Sequence, residues 1–230
     1  MFSRCRNPVD VAFLVDSSGS LGKEGFHKQK DFIKAVTQTL DVSYSQSRAA
    51  VITYSDRASV AIKFSDYNHY EEFNIALEAL PYRGKTTRID KAIVKASREL
   101  MTREGGRRED IPGVMVIMTD GRQTPDFDVT PLEEAATSLE KLGVTTLVLG
   151  IGDLADQKEL RKMTARDDDV FLAPSLQRLS SFVRPLSTSI CNAAGICTAL
   201  FSLLLSPSCS FINNIQIFLS VFFYTSCCTA

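Results

Sequence analysis

The 230-residue sequence predicts an α/β fold: a doubly wound, mostly parallel six-stranded sheet with one antiparallel edge strand and helices on both faces. Three observations predict it. Near-continuous apolar runs at Val9–Val15 and Val114–Met118 mark parallel strands covered on both sides, where alternation would mark a half-exposed sheet. Segments with apolar residues at helical spacing separate the strand-like runs. One link, Ser55-Asp56-Arg57, is too short for a crossover and permits only an antiparallel hairpin.

Taken in order, the first strand is Val9–Val15. Phe26, Ile33, Val36 and Leu40 then predict a helix over 24–40. Arg48–Tyr54 and Ala58–Phe64 form the hairpin. The second of these runs alternates, with Val60, Ile62 and Phe64 on one face and Ser59, Ala61 and Lys63 on the other, which suits a sheet edge. Tyr70, Phe73, Leu77 and Leu80 make a short helix ending at Pro81. Ile89, Ala92, Ile93, Ala96 and Leu100 make another, and the polar stretch Arg103–Asp110 reads as a surface loop. After Val114–Met118 come a helix through Leu132–Leu142 with Pro131 in its first turn, a strand Val144–Ile151, a short helix at Leu160–Met163 and a short strand Val170–Ala173. Leu176, Leu179, Phe182, Val183, Leu186 and Ile190 predict a final helix running into Cys191.

A net charge of −1 leaves no field for a polyanion, and no aromatic residues interleave with basic ones, so nucleic acid is excluded as a partner. Cys5 and Cys191 bracket the globular part with no cysteine between them. Chain ends of a domain often lie close together, and a Cys5–Cys191 disulfide would close a loop of about 187 residues, worth roughly 5 kcal/mol. That bridge implies an oxidising, extracytoplasmic setting. Met1–Asp10 lacks an apolar signal core, so the chain reads as a piece of a secreted protein. No Asn-x-Ser/Thr acceptor is present.

The character changes after Cys191. Residues 192–230 carry no Asp, Glu, Lys or Arg, and neither apolar stretch, Ile196–Leu205 or Phe211–Tyr224, reaches the roughly 20 residues of a membrane-spanning helix. The domain is therefore placed at 8–191. The 192–230 tail stands outside it as an anchor signal, a membrane segment or a non-native terminus, and is the one part of the chain through which a membrane could be reached.

The chemistry gathers at strand ends. Asp16-Ser17-Ser18-Gly19-Ser20 closes the first strand and Asp120 follows Val114–Met118, and in open parallel sheets ligands bind beyond such carboxyl ends. Ser18 and Ser20, two apart in a turn, can aim their oxygens the same way, and Thr87 can add a fifth at a helix entrance. Two carboxylates and three hydroxyls form an all-oxygen, incomplete octahedron, which suits Mg²⁺ or Mn²⁺ and leaves a position for a partner's Asp or Glu.

Asp16-x-Ser18-x-Ser20 with Thr87 and Asp120 closely resembles the metal-ion-dependent adhesion site of von Willebrand factor type A domains, as in matrilins, collagen VI and integrin inserted domains. The resemblance covers about residues 8–191. It implies that Ser18, Ser20 and Thr87 hold the ion directly and that Asp16 and Asp120 act directly or through water. Family spacing favours Thr87 over its neighbour Thr86. The sequence departs from the family at Gly84-Lys85 and Ile89-Asp90, where Gly-Gly and Thr-Gly are usual. The resemblance implies a secreted or cell-surface, non-catalytic module that binds a matrix protein such as a collagen through a carboxylate.

Other readings are weaker. Ser and Gly after a strand are ordinarily a turn and helix cap, but Asp120 and Thr87 at matching places argue against that alone. Gly84-Lys85-Thr86 is not a phosphate loop, since Ala79 stands where a glycine is required. A Mg²⁺-dependent phosphotransferase would want an acid where Ser18 sits, and His27 and His69 fall in helical regions with no serine or acid to form a triad. Lys85, Arg88 and Arg122 lie in loops at the same end of the sheet, where they can steer an acidic ligand.

Overall fold

In a computed structural model the described residues are 5, 7–121, 123–153 and 155–204, with side chains described as far as 195. Six strands form one sheet: β1 (Asp10–Asp16), β2 (Arg48–Tyr54), β3 (Ala58–Ile62), β4 (Gly113–Thr119), β5 (Val144–Ile151) and β6 (Val170–Ala173), in the order β3-β2-β1-β4-β5-β6. Every pairing is parallel except β2 with β3, and β3 lies at an edge, where four of its five residues are only half-buried. The chain order reverses between β1 and β4, so the crevice beyond their carboxyl ends is the natural ligand position.

Helices cover both faces. On one, Val11, Phe13 and Val15 pack with α1 (Gly22–Thr39), α2 (Tyr70–Glu78) and the Leu186 and Ile190 positions of α6 (Val183–Leu204). On the other, Ala12 and Leu14 pack with α3 (Ile89–Lys95), α4 (Leu132–Glu140) and α5 (Gln157–Arg161). Burial of both alternating sets explains why β1 and β4 read as unbroken apolar runs.

Three local differences from the sequence expectations have physical causes. Val60, Ile62 and Phe64 do not share a face. Val51 pairs with Ile62 but Ile52 with Val60, so Ala61 is an extra residue in β3, and this bulge turns Ile62 to the α1 face while Val60 and Phe64 stay on the α3 face. The last helix is a 3₁₀ stretch over Leu176–Phe182 that becomes α-helical only at Val183, and it continues past Cys191 to Leu204. Asn192, Ala193 and Ala194 contain no breaker to stop it. The Arg103–Asp110 loop is not wholly solvent-facing. Arg108 forks onto Asp10 (2.6 and 3.1 Å), whose carboxyl is completely buried at the start of β1.

Cys5 and Cys191 form a disulfide, with Cα atoms 5.4 Å apart, that ties the chain before β1 to α6. Packing divides the chain into two compact units, Met1–Ala194 and Gly195–Ala230. Beyond Leu204 the expectations for the 192–230 tail lie outside the described residues. Among the described residues no helix is long and apolar enough to cross a membrane.

Candidate metal centre

The site begins with how β1 stops. Asp16 is aligned with Tyr54 of β2, and beyond it the ladder ends. Gln29 of α1 replaces the missing strand: its Oε1 accepts the Asp16 N–H (3.0 Å) and its Nε2 donates to the Asp16 carbonyl (2.8 Å). Gln29 lies on the apolar stripe between Phe26 and Ile33, and a polar residue there was the available sequence signal for such a bond.

The next four residues alternate in use. Ser17 and Gly19 face the segment before Thr87: Ser17 Oγ accepts from Arg83 N–H (2.8 Å), the Ser17 carbonyl from Gly84 N–H (2.9 Å), and Gly19 N–H donates to the Lys85 carbonyl (2.8 Å). A Cβ on Gly19 would stand 3.3 Å from the Gly84 carbonyl oxygen, so the close approach needs glycine. Asp16, Ser18 and Ser20 turn the other way. Asp16 Oδ1 accepts the Ser18 N–H (2.8 Å), and the Ser18 and Ser20 hydroxyls lie 2.9 Å apart. The candidate ligand residues therefore sit at every second position.

Asp120 follows β4, is 7% exposed, and its charge acts on Asp16. The turn after it requires Gly121, whose φ is +79°. Thr87 is buried and Thr86 exposed, which accords with Thr87 as the inward-facing hydroxyl residue of the pair. Thr87 is held by reciprocal bonds with Thr124, N–H to Oγ1 (3.1 Å) and carbonyl from N–H (2.9 Å). Its neighbour Arg88 donates its N–H to the Ser55 carbonyl beside Tyr54 (2.9 Å).

The electrostatics single out Asp16. Burial pushes its carboxyl from 3.8 up to about 7, against the bonds from Ser18, and the Asp120 charge adds to the rise. Tyr54 Oη stands against this carboxyl but gives its proton to the Met118 carbonyl (2.8 Å). Asp16 Oδ2, fully buried, has no hydrogen-bond partner among the described residues. A buried, unmatched carboxylate oxygen beside two hydroxyls and a second acid fits a small hard divalent cation, since the donors are all oxygen with no thiol or imidazole among them.

The steering cations fare differently. Lys85 is on the rim, 65% exposed, with Nζ 3.6 Å from Asp56. Arg88 departs from the surface role expected of it: it is 2% exposed and committed to Asp90, Asp126 and Asp128. Asp90, standing where the family pattern has glycine, draws its guanidinium inward. Arg122 lies outside the described residues. Phe127 is fully exposed in the loop that starts at Asp120, and nothing in the sequence around it marks that exposure. His27 and His69 are both exposed, and His27 faces Asp31 on α1 (3.7 Å).

A family model for the von Willebrand factor type A domain matches residues 10–185. The chain is 30% identical to matrilin-3 of Gallus gallus over 195 residues, which is 82% of the chain and 42% of that protein. It is 26% identical to matrilin-2 of Mus musculus over 196 residues, 83% of the chain and 20% of that protein. To the collagen alpha-6(VI) chain of Homo sapiens it is 26% identical over 189 residues, 82% of the chain and 8% of that protein. The chain thus spans less than half the length of each of these relatives. Among solved structures, proximal thread matrix protein 1 from the mussel byssus superposes with a TM-score of 0.76 at 23% identity, covering 82% of this chain and 49% of that one. Another structure of that protein, with a zinc-occupied MIDAS motif, gives 0.74 at 23% identity over 82% of this chain and 47% of that one.

Proposed function

The chain belongs to the von Willebrand factor type A domain family, and from that premise we propose that it is an extracellular, cation-dependent protein-binding module. The domain proper is 8–191. Asp16, Ser18, Ser20, Thr87 and Asp120 hold Mg²⁺ or Mn²⁺, and an acidic side chain of a matrix or cell-surface protein, such as a collagen, is the partner. The observation that carries this reading is the buried Asp16 Oδ2, unmatched by any described donor and set beside the Ser18 and Ser20 hydroxyls at the switch point of the sheet.

A bound divalent cation supplies a charged coordination position that a partner's carboxylate can fill. The chain's own residues do the rest. Gln29 and the 83–85 segment hold the Asp16–Ser20 loop, and Tyr54 closes the floor beneath it. At the rim, Lys85 attracts an acidic partner, and Phe127, fully exposed in the loop that starts at Asp120, offers apolar area for one. The matrix setting and the binding role of the chain are supported by its likeness to matrilins and collagen VI, and the disulfide accords with an oxidising compartment. In this reading the site works by binding rather than by catalysis, which the likeness to matrilins and collagen VI supports.

The test is a binding screen of the oxidised chain against immobilised collagens and other matrix proteins with Mg²⁺ or with chelator. Capture that requires Mg²⁺ and is lost in Asp16→Ala supports the reading. Capture that persists in chelator and in Asp16→Ala shows instead a scaffold that binds through other faces.

A further inference from the structure

The best-connected side chain near the site is not one of the five proposed ligands. Arg88, next to Thr87, places Nε 3.0 Å from Asp90 Oδ1 and Nη2 2.8 Å from Asp90 Oδ2, a two-point fork onto an acid that is itself 1% exposed. The same guanidinium donates from Nη1 to Asp126 Oδ2 and Asp128 Oδ1, both at 2.7 Å, and from Nη2 to the Asp128 carbonyl at 2.9 Å. Neutralising Asp90 alone would need one fork. The further bonds all go to the loop that begins at Asp120.

Among its described residues that loop has no helix or strand between Asp120 and α4 to hold it. It is laid across residues 87–90 by side-chain bonds: Thr124 with Thr87, Gln123 Oε1 from Asp90 N–H (3.0 Å), Thr130 N–H to Asp90 Oδ2 (3.1 Å), and the two aspartates on Arg88. Thr87 and Asp120 come from different crossovers, and this joint ties the segments that carry them to one another. Asp126 and Asp128 are 47% and 64% exposed, so without Arg88 they would be drawn to water.

We infer that Arg88 is a positioning residue for the metal site: it clamps the Asp120 loop onto the Thr87 turn and so sets the spacing of two proposed ligands before any ion arrives. This rests on the metal reading above. Lysine cannot replace it, because an ammonium cannot fork onto Asp90 while reaching both loop acids.

The experiment titrates Mn²⁺ calorimetrically into the oxidised chain and two variants, well below their melting temperatures. Arg88→Lys keeps the net charge, and Asp126→Asn/Asp128→Asn leaves the buried Arg88–Asp90 pair intact, so the second variant serves if the first fails to fold. At about 1 M salt, where screening acts over about 3 Å, the charge change of the double variant is muted. Each folded variant should bind Mn²⁺ about tenfold or more weakly, the effect expected of a residue that orients ligands. Unchanged Mn²⁺ affinity in the double variant, or in a folded Arg88→Lys whose melting temperature falls, overturns the inference and leaves Arg88 a purely structural pair. A wild-type chain that binds no Mn²⁺ overturns the metal reading itself, and the positioning role with it.

Discussion

Gln29 grips both backbone groups of Asp16, taking its N–H at 3.0 Å and giving a proton to its carbonyl at 2.8 Å. A helix side chain thereby completes the ladder of β1 at the residue where its chemistry starts. Gln29→Leu would strand two buried backbone groups, each costing about 1–3 kcal/mol, so urea unfolding should show a loss of about 2–5 kcal/mol. Mn²⁺ affinity should fall in the same variant. Wild-type stability in Gln29→Leu would contradict the assignment.

The pH dependence of the metal-free protein should run opposite to that of most carboxylates. Asp16 is raised from 3.8 to about 7 in the folded chain, chiefly by burial, so the folded state holds its proton where the unfolded state has lost it. Its contribution to stability is complete below about pH 4 and disappears as pH rises through about 7. In chelator, melting temperature should therefore drop between about pH 4 and 7 and then level, and Asp16→Asn should remove that drop and be more stable at pH 8 by up to about 4 kcal/mol. Mn²⁺ competes with the same proton, so its affinity should rise up to pH 7 and then level.

Much of this candidate site was legible in the sequence, and the reason is chemical. Asp16, Ser18 and Asp120 are buried polar residues where strands end, a place where polarity needs a cause, and the exposed Ser20 stands beside Ser18. What was not legible depends on contacts between distant residues. Nothing near Arg88 in sequence shows that Asp126 and Asp128 will fold over it, and nothing near Asp10 points to Arg108, 98 residues away. Register is similarly hidden: the Ala61 bulge breaks an alternation that looked regular from composition, because only pairing with Val51 and Ile52 reveals the extra residue. The apolar run that predicted α6 was sound, but its first turns are 3₁₀ and the helix runs past Cys191, where the change in charge does not stop it.

Asp10 and Arg108 predict a stability effect away from the site. Asp10 is fully buried and accepts the Arg108 N–H (2.8 Å) as well as its guanidinium. Arg108→Ala leaves the carboxylate without its countercharge and should cost about 3 kcal/mol in urea unfolding, with Mn²⁺ affinity unchanged. An equal loss of metal affinity would mean that the far end of β1 is coupled to the site.

The Cys5–Cys191 bridge spans 186 residues of sequence. Cys5→Ser/Cys191→Ser should lower stability by up to about 5 kcal/mol in thermal or urea unfolding. Because the bridge tethers α6, the oxidised protein should show one affinity for Mn²⁺-dependent partners. Two interconverting affinities in surface plasmon resonance of the oxidised chain would contradict a tethered helix.

Phe127 and Lys85 separate contact from attraction. Phe127→Ser removes an exposed ring and should leave stability within about 0.5 kcal/mol while speeding dissociation from any matrix protein captured in Mg²⁺. Lys85→Glu should slow association at low salt instead. Identical kinetics for both variants would remove the rim from the binding surface.

The most direct measurement is a calorimetric titration of the folded, oxidised chain with Mn²⁺ at pH 7.5, beside Asp16→Ala and Thr87→Ala that retain wild-type circular dichroism. One bound ion per wild-type chain, lost in Asp16→Ala and weakened in Thr87→Ala, is the predicted result. No binding by the wild type, or undiminished binding by Asp16→Ala, would contradict a metal centre at the carboxyl ends of β1 and β4.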